Sequence, residues 1–255
     1  MTRILLAALA MLVAAAPTAS ADELPVVDVL VLYTPKALHG AGGVEQLKAI
    51  AQKNADYTNG AFINSYAEVR TRIVAVEPAP DYNPSGKEES PAAYDYTVRT
   101  PASAAAVRDR VRADVVHVMA AEVGGFSNSQ RRPVPTTSEG PGKKVLVGFD
   151  RPETFFAHEL GHLLGLDHDE HLGPGRGDGY DYVRGYVAPS LKWRTIMAYE
   201  TQCKDAGTTC PDVQYFSNPS LTYEGERLGV PKGELHEADE VSMLNESAPI
   251  VAAYR

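Results

Sequence analysis

Between residues 150 and 169 the chain reads Asp150-Arg151-Pro152-Glu153-Thr154-Phe155-Phe156-Ala157-His158-Glu159-Leu160-Gly161-His162-Leu163-Leu164-Gly165-Leu166-Asp167-His168-Asp169, and no other segment restricts the fold as much. His158 and His162 are four residues apart, so on a helix they stand one turn apart on one face and two imidazoles can converge on one ion. Glu159 projects about 100° further round the axis, which places its carboxylate beside that ion. Asp150 with Glu153 three residues on has the shape of a capping box, with Pro152 inside the first turn, and predicts a helix beginning near Asp150. At Gly165 a left-handed backbone costs little, so the chain leaves the helix there and brings His168 back as a third nitrogen ligand. Three neutral imidazoles leave one position on a zinc ion open for water, the arrangement of a catalytic site.

A bare His-Glu-x-x-His occurs by chance in unrelated proteins. The constellation of His158, Glu159, His162, Gly165 and His168 should arise by chance only on the order of a few times in 10⁵ chains of this length. Ordinary surface histidines on an amphipathic helix are therefore a poor account of it. His39, His117, His171 and His236 lack a partner at ligand spacing and read as core or surface histidines.

Around the motif, residues 26–33 are β-branched and apolar and read as a buried strand ending at Thr34-Pro35. Residues 43–63 carry apolar residues at helical spacing, and 69–76 read as a second strand. A helix over 102–113, a strand over 113–120 and a strand over 144–149 follow. Residues 77–96 and 124–143 are rich in Pro, Gly and Ser and read as loops that border a cleft. The strand–helix–strand order implies an α/β or α+β packing with a twisted mixed sheet in one domain. The length of 255 residues suits one large domain.

Residues 1–21 combine Arg3, an apolar run of about 13 residues and Ala19-Ser20-Ala21, the pattern of a cleaved secretory signal, too short to span a bilayer. No Cys stands near Ala21 to carry a lipid. Export to the periplasm or the medium, without stable membrane association, is the expectation. Arg3 is the one charged residue among these 21, so its removal takes the formal net charge from -9 to -10. So acidic a chain, with scattered cations, argues against a nucleic-acid partner. The pairs Arg131-Arg132 and Lys143-Lys144 read as solvated loop, and Arg176-Gly177-Asp178 as a coincidence in a Gly-rich loop. In an exported chain, Cys203 and Cys210 favour a local disulfide; their spacing does not match the short spacings of zinc knuckles.

The eleven-residue motif resembles the signature of the metzincin zinc peptidases. Thr195-Ile196-Met197-Ala198-Tyr199 is similar to their Met-turn, in which a methionine, here Met197, lies beneath the zinc and its histidines. Val29-Leu30-Val31-Leu32-Tyr33-Thr34-Pro35, Arg184-Gly185-Tyr186-Val187, Cys203, Cys210, Phe216-Ser217-Asn218-Pro219 and Leu244 to Val251 extend the likeness to the bacterial reprolysin-like, adamalysin-related group. That resemblance implies a metzincin-type catalytic domain over residues 22–255. Its N-terminal subdomain would reach to about 168, and a smaller C-terminal one would follow over 169–255. It also implies one zinc ion and endopeptidase activity. Tyr199 stands where astacin-like and serralysin-like enzymes place a tyrosine that ligates zinc or stabilises the oxyanion; the alternative is a Tyr packed in the turn. No Cys precedes the domain to act as a latency switch, and the Gly-Gly-x-Gly-x-Asp repeats that hold calcium in serralysins are missing, so a calcium ion has no support.

The resulting expectation is a monomeric, exported zinc endopeptidase that acts on protein or peptide substrates. Zinc lowers the pKa of bound water and Glu159 accepts its proton, then protonates the leaving amine. Two readings compete with it: a zinc-containing binding protein that no longer cuts, and a hydrolase of cell-wall peptide cross-links. The intact Glu159 counts against the first, because metal binding alone does not require it.

Overall fold

The computed structural model describes residues 23–127, 143–173 and 179–255. The signal-like residues 1–21, the pair Arg131-Arg132 and the Arg176-Gly177-Asp178 tripeptide lie outside them. Strands β1 (Val26–Tyr33), β2 (Arg70–Pro78), β3 (Val115–Ala120), β4 (Gly125–Ser127) and β5 (Lys143–Gly148) form one sheet in the order β2-β1-β3-β5-β4. The pairs β1–β2, β1–β3 and β3–β5 are parallel, and β4 runs antiparallel to β5.

Side chains alternate across a strand, so β1 sends Val27, Val29, Val31 and Tyr33 into one core and Leu30 and Leu32 into the other. Strand β3 divides likewise, with Val115 and Met119 on the first face and Val116, Val118 and Ala120 on the second. Both faces are covered, which is why these strands read as continuous apolar runs. On the first face lie α2 (Val44–Asn64), α5 (Glu153–Leu163) and α7 (Glu240–Val251), through Leu47 and Phe62, Phe156 and Leu160, and Leu244 and Ala248. On the second lie α3 (Glu89–Arg99) and α4 (Ala102–Val111), through Ala93, Tyr96 and Ala104. The mixed α/β class follows from this two-sided burial.

Residues beyond His168 return to the first core: Phe216 stacks on Phe62 with ring centroids 5.4 Å apart. They also form a small antiparallel pair, β6 (Asn218–Tyr223) and β7 (Glu226–Leu228).

Five local expectations are corrected. Lys143-Lys144 is not solvated loop but opens β5, with Lys144 buried and its ammonium donating to the Val98 carbonyl (3.1 Å). Thr34-Pro35 ends β1 but also starts a short helix, α1 (Pro35–Ala41): Thr34 accepts a hydrogen bond from the Ala37 N–H (3.2 Å) and Pro35 occupies the first turn, where its missing N–H costs nothing. The loop expected over 77–96 contains most of α3. Its Ser-Pro start suits a first turn, and burial of Ala92, Ala93 and Tyr96 overrides the loop-like composition. That segment packs on the second face and gives no residue to the cavity beside the three histidines. In the 124–143 segment, Gly125–Ser127 pairs as an edge strand, and 128–142 lie outside the described residues. The capping box at Asp150 does not form: Asp150 sits in a turn closed by the Arg151 N–H on the Gly148 carbonyl (3.1 Å), Pro152 is extended (ψ 149°), and α5 starts at Glu153 with no side-chain cap.

His117 points from β3 into the first core, its ring 4.8 Å from that of Phe156. Neither ring nitrogen has a partner in hydrogen-bonding geometry, and burial pushes its pKa down to about 3. The unfolded chain takes up this proton near pH 6.5 and the folded chain only near 3, so the contribution of His117 to stability holds above about pH 6.5 and is lost as pH falls toward 3. In urea titrations, His117→Leu is expected to lose less stability than the parent between pH 7 and 4.5, by about 1–3 kcal/mol; identical losses would refute the buried neutral imidazole.

Candidate active site

Helix α5 carries the site because its inner face is apolar, with Phe156, Leu160 and Leu163 fully buried, while His158 and His162 lie on its outward flank. It ends in a reversal at Gly165, whose φ of 94° is left-handed. The Gly165 N–H donates to the His162 carbonyl (3.1 Å) and the Leu166 N–H to the Gly161 carbonyl (3.0 Å), the paired bonds of a Schellman turn. This turn delivers His168. Its Nε2 lies 3.1 Å from His158 Nε2 and 3.0 Å from His162 Nε2.

These contacts have a definite protonation pattern. His158 Nδ1 faces the Ile196 carbonyl at 2.9 Å, and His162 Nδ1 faces the Leu166 carbonyl at 3.0 Å. A carbonyl only accepts, so both Nδ1 atoms carry the proton and both Nε2 atoms present lone pairs. Burial pushes the His158 pKa down to about 3, with His162 adding to the effect; burial also lowers His168. Two lone pairs aimed at the Nε2 of His168 bring three imidazole nitrogens to one point, each able to ligate a metal once its proton lies on the far nitrogen. The donor set therefore fits a divalent metal with an imidazole preference.

Glu159 lies on the wall of a cavity of about 550 Å³ that also includes His158, Tyr199, Gly125, Tyr57, Arg194 and Asp212. Burial pushes its carboxyl up to about 7. The Ser127 hydroxyl opposes this shift from close by, without a well-formed hydrogen bond. Gly125, on the edge strand β4, is pressed against the carboxylate: a β-carbon at that position would overlap Glu159 Oε1. No sequence signal marked Gly125 or Ser127, because their relation to Glu159 exists only after β4 pairs with β5.

Met197 is fully buried, and its sulfur packs under α5 at Gly161, where a β-carbon would come within 2.6 Å of Sδ. The Met-turn residue is thus packed against the helix that carries the first two histidines. Tyr199 is not packed away. Its ring is 45% exposed and stands edge-on to His168 and His158, with centroids 4.6 and 5.7 Å away. Asp169 is the connection that sequence reasoning passed over: its carboxylate accepts from the Tyr199 N–H (2.8 Å) and the His171 N–H (3.1 Å), tying the turn after His168 to the Met-turn. Cys203 and Cys210 are joined in a disulfide and pack with Ala198 and Val187, behind the same turn. His171 and His236 pair with Asp205 and Glu170, at 2.8 and 2.7 Å, outside the triad.

Known proteins share this architecture. The Reprolysin_5 model of metallopeptidase family M12 matches residues 26–217, from β1 through the Met-turn. A peptidyl-Asp metalloendopeptidase of Pseudomonas aeruginosa is 28% identical over 281 residues, an alignment covering 99% of this chain and 43% of that protein. One from Stenotrophomonas maltophilia is 39% identical over 103 residues, 39% of this chain and 22% of its own length. The chain thus spans less than half the length of the curated relatives it matches. A chain in a solved chaperone–substrate complex superposes with a TM-score of 0.64 at 21% identity, over 91% of this chain and 35% of that one, and so shares the fold.

The converging lone pairs generate a test of metal binding. Metal-free protein titrated with Zn²⁺ in a calorimeter is expected to bind one equivalent, and His162→Ala to lose that binding. At a thousandfold excess over Kd the metal should add roughly 4 kcal/mol to stability, seen as a fall in Tm on chelation. Undiminished binding by the variant would refute the three-histidine site.

Proposed function

Because the chain belongs to metallopeptidase family M12, we propose that it is an exported zinc endopeptidase with His158, His162 and His168 as the metal ligands and Glu159 as the proton carrier. Bound zinc would supply a Lewis acid that polarises the peptide carbonyl and lowers the pKa of a water molecule. The observation that carries the reading is the position of Glu159: a carboxyl buried on the cavity wall, adjacent to the histidine face, with a pKa near neutrality. Such a group accepts a proton from the attacking water and returns it to the leaving nitrogen within one turnover. Gly125 leaves the space that this carboxylate occupies.

Tyr199, whose ring stands edge-on to His168 and lines the same cavity, would hydrogen-bond the oxyanion that forms as water adds to the carbonyl. Ile196 and Leu166 hold two of the imidazoles in their ligating tautomer through backbone carbonyls. The relatives' common name supports bonds beside aspartate as the substrate class. The basic start and apolar run of residues 1–21, together with the Cys203–Cys210 disulfide, support export. A metal-binding protein without activity has no use for a carboxyl aimed into the cavity, which favours the enzyme.

Glu159→Gln is expected to keep one zinc per chain, measured by elemental analysis, while kcat/KM on casein or a fluorogenic peptide falls by about 10²- to 10⁴-fold. Retained hydrolysis in the purified variant would remove Glu159 from the mechanism. Parallel assays on cell-wall peptide cross-links separate the peptidase reading from its alternative.

A further inference from the structure

Arg194 immediately precedes the Met-turn, and its backbone is clamped on both sides: its N–H donates to the Pro211 carbonyl (3.1 Å) and its carbonyl accepts from the Val213 N–H (2.8 Å). The side chain enters the cavity that holds His158, Glu159 and Tyr199 and is only 17% exposed there. Its guanidinium is unusual in what it lacks. Nε is buried with no partner, and among the described residues the group makes no hydrogen bond; its one ionic contact is Nη1 to Asp212 Oδ1 at 3.4 Å, beyond normal hydrogen-bond length. A guanidinium has five donors, and leaving them unmet in a half-dry cavity is costly unless something else arrives.

The other charged groups on the cavity wall are differently engaged. Lys204 is bound to Glu200 at 2.9 Å with a largely exposed side chain, and Glu153 is paired with Lys53. Arg194 is therefore the cation that an entering side chain meets. Asp212 contacts it through Nη1 alone, so the donors of the other terminal nitrogen stay available.

We propose that Arg194 is the specificity-determining residue of the cleft, receiving the carboxylate of an acidic side chain next to the scissile bond while Asp212 positions the guanidinium. The proposal rests on the peptidase reading above and adds to it the residue that reads the substrate. A planar fork of donors accepts a carboxylate bidentately and discriminates against the isosteric amide. Asp212 moderates that preference, since its own charge competes for the same cation.

Zinc-loaded protein is assayed on matched peptides that differ only at the residues flanking the scissile bond, Asp against Asn, with cut sites mapped by mass spectrometry. The parent is expected to favour Asp over Asn by about ten- to a hundred-fold in kcat/KM. In Arg194→Met that ratio, read within the variant, should fall to within about threefold, while Asp212→Asn should raise it above the parent value. A ratio preserved in Arg194→Met, or a parent that cuts both peptides equally, overturns the proposal and leaves the peptidase reading standing. A parent that cuts neither peptide overturns the peptidase reading and this inference with it. Should Arg194→Met fail to fold, Asp212→Asn decides alone: an unchanged or lowered ratio refutes the assignment.

Discussion

Three imidazole nitrogens meeting at 3.0–3.1 Å are the arrangement on which the rest of this structure depends. All three can ligate one cation only if each ring carries its proton on the far nitrogen, so the rings must be locked in that tautomer. The carbonyls that lock two of them come from two different turns. Leu166 belongs to the Schellman turn closing α5, and Ile196 to the Met-turn about thirty residues later. The site is therefore complete only when both turns are in register. Asp169 enforces that register by bonding to the backbone of Tyr199, with Met197 packed beneath Gly161 and the disulfide behind Ala198.

The same turns shape the cavity and its electrostatics. Glu159 is taken out of water by α5 on one side and the edge strand β4 on the other, so its carboxyl titrates near neutrality rather than in the usual carboxylate range. Across the cavity the Met-turn sets Tyr199 at the mouth, and Arg194 in the wall directly before it. The proposed proton carrier, oxyanion donor and substrate-reading cation thus ride on two elements, a helix and one turn, each anchored in the first core. Rigid support of this kind suits catalysis, where small displacements of a reacting group are expensive.

Much of this was legible in the residues. The four-residue spacing of His158 and His162, the glycine at 165 and His168 three further on describe a local geometry, and local geometry follows from backbone preferences. The β-branched runs of β1, β3 and β5 were equally visible, since burial on both faces demands apolar residues throughout. The segments that misled were those where composition and burial disagree. Ser90-Pro91 suggested loop, yet Ala93 and Tyr96 gain enough by covering the sheet to form α3; Asp150 and Glu153 suggested a capping box, yet Pro152 moved the helix start past it.

The sequence by itself determined the convergence of three histidines, the carboxylate beside them and the reversal that joins them, because all of these lie within eleven residues and are governed by helical periodicity and one left-handed glycine. Tertiary structure alone decided what surrounds them. Gly125 against Glu159, the Ile196 carbonyl on His158, Asp169 bonded to Tyr199, and Arg194 facing Asp212 in the cavity are contacts between segments brought together by sheet pairing and core packing. No spacing rule carries that information, since it depends on where strands and turns settle once both faces of the sheet are buried.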